Sequence, residues 1–168
     1  MKRTVDRSLA DLERVYRAEF KAFMRTATAY LGNADVARDA VQEGVANAIR
    51  SRGSYRGEGT LEAWLWRVVL NAIRSQRRAR AHMLMPDDAS LEAVAGAVST
   101  NGYESTEAVR LAVMRLPERQ RLVLFLRFYA DMDYATIAEL LELSEGTIGA
   151  SLNAARTTLR GLLREVPT

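Results

Sequence analysis

Apolar residues recur along this chain at three- and four-residue spacing, with no run of strict alternation. That spacing gathers them on one face of an α-helix and gives no strand signal. The first helix is predicted to run from a cap at Ser8 to about Leu31, with Gly32 as its stop and Asn33 as the next cap. A second follows over 34–51, with Val36, Ala40, Val41, Val45 and Ala48 on its apolar side. Residues 52–59 hold Gly53, Gly57 and Gly59 and read as a loop. Thr60 caps a third helix over 61–80, where Leu61, Trp64, Leu65, Val68, Val69 and Ala72 recur at helical spacing. Ser105 caps a fourth over 106–115, and Pro117 opens a fifth at the N1 position that proline tolerates. Two more are predicted over 134–142 and 145–164, the last turning Ile148, Leu152, Ala155 and Leu159 to the core.

The pattern breaks once. Residues 83–104 contain Pro86, Asp87, Asp88, Gly96, Ser99 and Gly102 and read as a flexible linker. The expected fold is all-α, with two small helical domains at 1–82 and 105–168. Within the second, the helices on either side of Leu143 and Ser144 have the layout of a helix-turn-helix, whose second helix can lie in a DNA major groove.

Composition narrows the chemistry. The 168 residues include no cysteine, so disulfides and thiolate metal sites are excluded. His82 is the single histidine and makes no metal site alone; it reads as a linker residue. No cofactor is expected. No apolar run approaches the ~20 residues that span a bilayer, and the opening MKRTVDRSLADLERVYR has no apolar core of a secretion signal. A cytoplasmic protein with no membrane insertion is expected. The net charge of +3 is unevenly placed. Residues 1–85 carry 16 Lys/Arg against 9 Asp/Glu, a net of +7, and residues 86–168 carry 8 against 12, a net of −4. The basic surplus of the first half favours a polyanionic partner.

Several local patterns can meet such partners. Asp39, Gln42 and Glu43 share one helix face at i, i+3 and i+4. On composition alone that is a solvated surface. The loop at 52–59 offers Arg52, Tyr55 and Arg56, an aromatic and two cations of the kind that hold an unstacked base and its phosphate; on the residues alone it reads sooner as a plain connector with Tyr55 packed on the third helix. Trp66 lies about 200° around the helix axis from Trp64, so Trp64 is assigned to the core and Trp66 to DNA or a neighbouring helix. Asn71, Arg74 and Arg78 form a polar line at i, i+3 and i+7, within a basic tail that includes Arg77 and Arg80.

Nearly the whole chain resembles the extracytoplasmic-function (ECF) group of bacterial RNA polymerase sigma factors, of the sigma-70 family. The resemblance rests on Asp39, Gln42 and Glu43, the glycine-rich loop, Trp64 to Arg67, Asn71 and the basic tail, followed by LPERQR at 116–121 and SEGTI at 144–148. It implies a first domain that docks on the polymerase core through Asp39, Gln42 and Glu43. The same domain would open the minus-ten element with Arg52, Tyr55, Arg56, Trp66, Asn71, Arg74, Arg77 and Arg78. It implies a second domain that reads the minus-thirty-five element with Arg119, Arg121, Ser144, Thr147, Gly149, Ala150, Ser151 and Asn153. Two departures stand out. Ser75 and Gln76 occupy positions where the family usually has Asp and a basic residue. Gly149, Ser151 and Ala154 stand where many members are basic, which predicts a weak or shape-based upstream grip.

The expected function is promoter recognition and transcription initiation by a non-enzymatic, monomeric subunit, with core polymerase and promoter DNA as partners and an anti-sigma factor as a further one. Two other readings fit the same residues. One is a sigma mimic that binds an anti-sigma factor without initiating transcription. The other is a conventional helix-turn-helix regulator acting as a dimer.

Overall fold

The structure is a computed structural model in which residues 9–83 and 104–164 are described. The chain divides into two compact units, Met1–Ala97 and Val98–Thr168. The described residues are helical, with no strand among them.

The first unit packs three helices: α1 (Leu9–Leu31), α2 (Ala34–Ser51) and α3 (Leu61–Met83). Gly32 ends α1 in a left-handed conformation at φ 72°, and its N–H donates to the Thr28 carbonyl at 2.8 Å. Asn33 starts α2 by accepting from the backbone N–H groups of Asp35 and Val36 at 2.9 and 3.0 Å. Thr60 caps α3 through the Ala63 N–H at 3.0 Å. The expected cap at Ser8 lies outside the described residues. Helix α2 buries small residues, Ala37, Ala40, Val41, Gly44 and Ala48, so α3 approaches it closely. A Cβ on Gly44 would stand 2.8 Å from the Val69 Cα. Against this pair α1 brings Phe23, Ala27 and Tyr30, and the Phe23 ring lies 4.4 Å from that of Trp66.

The second unit holds α4 (Glu104–Met114), α5 (Glu118–Phe128), α6 (Tyr134–Leu141) and α7 (Glu145–Arg164). Pro117 sits one residue before α5 rather than at its first position. Helix α4 opens at Glu104, ahead of the cap expected at Ser105. Asp133 caps α6 by accepting from the Thr136 N–H at 2.8 Å. Glu142 closes α6 in a left-handed conformation at φ 57°, and its N–H returns to Ala138 and Glu139. Ser144 starts α7, its Oγ accepting from the Thr147 N–H at 3.1 Å. A three-residue turn at 142–144 thus joins α6 to α7, as a helix-turn-helix requires. Ile137, Val123, Leu126, Ile148, Leu152 and Ala155 form the core. Each end of the expected linker is helical, at Met83 and Glu104, and its interior, 84–103, lies outside the described residues.

Candidate nucleic-acid interface

Helix α2 presents Asp39, Gln42 and Glu43 together on its exposed side. The opposite side is locked into the core by Ala40, Val41 and Gly44, so the face is fixed in orientation. Glu43 meets Arg50 at 3.1 Å, with both side chains largely in solvent. An exposed pair of this kind holds little energy and leaves the face able to exchange partners.

The loop after α2 begins with a single 3-10 turn, Arg52–Ser54. Arg52 and Arg56 are exposed. Tyr55 is not: it is 3% exposed, its ring packs 5.7 Å from Trp64, and its hydroxyl donates to the Gly59 carbonyl at 2.8 Å. The expectation that Tyr55 stacks on a base is corrected accordingly. It braces the loop, with Gly57 and Gly59 supplying the left-handed turns, φ 76° and 75°, that let the chain fold over it.

For Trp66 the structure takes the neighbouring-helix alternative, against α1, and not the DNA one. Trp66 is buried, and its Nε1 donates to Glu19 Oε2 at 3.1 Å, while Trp64 is the half-buried tryptophan. Along α3, Asn71 and Arg78 are exposed and Arg74 is half-buried. Arg77 belongs to a different side. Its guanidinium lies over the buried Tyr30 ring, 5.1 Å from the centroid, a cation–π contact that draws it from the open face. Asn71, Arg74 and Arg78 therefore lie along α3 as their spacing predicted, and Arg77, expected among the minus-ten contacts, is turned to Tyr30 instead.

In the second unit, Arg119, Ser144, Thr147, Ala150 and Ser151 border an open groove of about 470 Å³ between the starts of α5 and α7. Arg119 and Ala150 are exposed, as is Asn153 on the outer side of α7. The Ser144 and Thr147 hydroxyls bond each other at 2.8 Å. Gly149 is half-buried, and a Cβ there would meet the Tyr134 ring at 3.6 Å. Two residues expected at DNA are internal. Ser151 is 4% exposed, because α7 is covered by α4, α5 and α6 together. Arg121 is 6% exposed, and its Nη1 donates to the Met114 carbonyl at 2.8 Å and the Leu116 carbonyl at 3.4 Å. It ties α5 to the end of α4.

Two titratable groups are displaced from their ordinary range. The Asp133 carboxyl is held low, chiefly by the Thr136 backbone N–H that it caps. The Glu62 carboxyl on α3 is pushed up, first by burial and then by nearby Glu19. Neither touches the exposed polar faces described above. No cluster of three or more metal-ligating side chains occurs among the described residues, and no helix among them is long and apolar enough to cross a membrane.

Two protein families match the chain in order: Sigma-70 region 2 over residues 15–83 and Sigma-70, region 4 over residues 106–159. The chain is 31% identical over 152 residues to the ECF RNA polymerase sigma factor SigM of Mycobacterium tuberculosis, covering 90% of this chain and 76% of that protein. It belongs to the ECF RNA polymerase sigma factors. A second relative, the ECF RNA polymerase sigma factor EcfG of Rhodopseudomonas palustris, is 32% identical over 133 residues, or 79% of this chain and 74% of that protein. The fold is also that of the sigma factor RpoE from Bartonella quintana, solved in complex with the anti-sigma factor NepR. That likeness has a TM-score of 0.67 and 21% identity, and covers 95% of this chain and 100% of that one. CnrH, solved in complex with the cytosolic domain of CnrY, gives a TM-score of 0.68 at 21% identity over 95% of this chain and 92% of that one.

As an ECF sigma factor, the protein directs promoter recognition and transcription initiation, with RNA polymerase core and promoter DNA as partners. Sigma factors are in general non-catalytic. Residues 15–83 of the sigma factor fall in the first unit and residues 106–159 in the second.

Proposed function

We propose that three exposed faces of this sigma factor divide its work. The Asp39, Gln42 and Glu43 face of α2 docks on a basic helical surface of the polymerase core. Arg52 and Arg56 of the loop, with Asn71, Arg74 and Arg78 of α3, hold the minus-ten DNA as it opens. Helix α7, flanked by Arg119, Ser144 and Thr147, enters the minus-thirty-five element. Tyr55, Trp66, Arg77, Arg121 and Ser151 support these faces from within.

The observation that supports this reading most strongly is the sorting of side chains along α3. Its aromatic and aliphatic residues turn inward, whereas Asn71 and Arg78 stay in solvent one turn and three turns beyond Trp66. An amide followed by cations on one open line suits a base edge and its adjoining phosphates. As a sigma factor the chain acts without catalysing a reaction, and the nucleotide chemistry belongs to the polymerase in the cytoplasm. It works as a monomer, and an anti-sigma factor is a further partner, as it is for the sigma factor RpoE of similar fold.

The test is run-off transcription by bacterial core polymerase on a genomic DNA library, with and without the chain, mapping RNA starts. New starts that share two upstream boxes are expected. Their absence would refute the assignment of the three faces.

A further inference from the structure

Helix α7 meets solvent along a strip that carries little side-chain length. Gly146, Ala150, Asn153 and Thr157 are all exposed and, at ~100° per residue, fall within about 60° of one another. Cations stand at the edges of this strip. Arg156 and Arg160 are exposed on one side, and Arg119 lies across the groove bordered by Ala150 and Ala154 on the other. A helix of this shape in a major groove turns its short residues to the base edges and its cations to the two phosphate walls.

The hydrogen-bonding capacity of the strip is concentrated at one residue. The Thr157 hydroxyl donates to the Asn153 backbone carbonyl at 3.0 Å, which leaves its methyl for an outside contact. Ser151 is buried. The Asn153 side-chain amide is exposed and has a donor and an acceptor available.

We propose that Asn153 is the base-specifying residue of α7, and that it specifies adenine within an A·T-weighted minus-thirty-five element. An asparagine amide pairs in a bidentate way with N6 and N7 of adenine, and the methyls of Ala150 and Thr157 suit the thymine methyl. Between Gly146 and Thr157 the strip holds no arginine or lysine to take O6 and N7 of guanine; Arg160 and Arg164 follow only beyond it, toward the end of α7. The inference rests on the reading of α7 as the helix that enters the upstream element.

The experiment is transcription by core polymerase with the full chain, from a promoter library whose upstream box is randomised and whose downstream box is fixed, read by sequencing the transcripts. The wild-type chain is expected to enrich adenine at one upstream position by roughly 5- to 150-fold. Asn153→Ala, which preserves the helix because alanine is the stronger helix former, is expected to flatten that position alone. Arg119→Ala is expected to lower output evenly across sequences, as loss of a phosphate contact does. Enrichment of guanine, or an adenine preference unmoved by Asn153→Ala, overturns the proposal while leaving α7 as the reader. An upstream box left random overturns both the α7 reading and the proposal.

Discussion

Arg121→Met tests whether this arginine holds the second unit together or touches DNA. Methionine keeps most of the stem and removes the guanidinium. In the structure that guanidinium caps the last carbonyl of α4, at 2.8 Å from Met114, and reaches the Leu116 carbonyl of the following turn at 3.4 Å. The Met114 carbonyl is one that a helix leaves without an internal partner, at the negative end of its dipole. A hydrogen bond to a charged group is worth about 1.5–3 kcal/mol, and a cation at a helix C-terminus adds about 0.3–1 kcal/mol. Removing the charge also relieves its desolvation cost, which offsets part of the loss. A net destabilisation of roughly 2–3 kcal/mol is expected, enough to lower the melting midpoint of a unit this size by ~10 °C or more.

The chain contains its own control for this measurement. Both tryptophans, Trp64 and Trp66, lie on α3 in the first unit, so indole fluorescence follows that unit and circular dichroism follows both. Arg121→Met is expected to move the dichroism transition of the second unit and leave the fluorescence transition in place. Arg119→Ala, on the exposed start of α5, is expected to move neither and to weaken promoter binding. If Arg121→Met melts like the wild type but loses promoter affinity, the assignment of Arg121 to the interior is wrong.

Three further predictions address the first unit. Gly44→Ala drives a methyl to within 2.8 Å of the Val69 backbone; a loss of about 1–2 kcal/mol in urea unfolding is expected after allowing for the better helix propensity of alanine, whereas Gly53→Ala, which meets nothing within 4 Å, is expected to be near neutral. Asp39→Arg with Glu43→Arg reverses an exposed face, so core-polymerase binding is expected to fail while the melting curve is preserved; retained core affinity refutes that docking face. Glu62→Gln is expected to stabilise the fold at neutral pH and to have little effect in acid. The raised carboxyl of Glu62 favours folding fully below its unfolded-state pKa, and that contribution is lost as pH rises through the higher folded value. A gain that grows as pH falls contradicts the sign.

The helices were legible because their punctuation is local. Asn33 and Thr60 cap α2 and α3 as expected, and Gly32 ends α1. The facing of aromatic and polar residues was less legible, because it depends on how many neighbours cover a helix. Helix α3 packs against both α1 and α2, so its buried arc is wide, taking in Leu61, Ala63, Leu65, Trp66, Val69, Leu70 and Ile73. Trp66 falls inside that arc and Trp64 outside it, the reverse of what a narrow stripe through Leu61 and Leu65 suggests. The same widening buries Ser151 on α7. For Arg121 the deciding partner is the end of α4, and a guanidinium shows no sign in sequence of returning to a carbonyl. Trp66 likewise meets Glu19, 47 positions away.

The two units differ in the kind of grip their surfaces offer. Residues 1–85 hold the basic surplus, a net of +7, and residues 86–168 a net of −4. Phosphate contacts release counterions and raise affinity for any DNA sequence, with steep salt dependence. Under the proposed division of faces, the exposed Arg52, Arg56 and Arg78 would place that general affinity in the first unit, where duplex opening needs the separated strand to be held. Under the same proposal the short-chained strip of α7 would contribute little of it, so sequence discrimination there would be weakly masked by nonspecific attraction. Adding basic residues along α7 would tighten binding to every duplex and lower the ratio between a promoter and random DNA. By this argument the small residues at Gly149, Ala150 and Ala154 are compatible with a functional reading helix, one in which selectivity depends on few contacts.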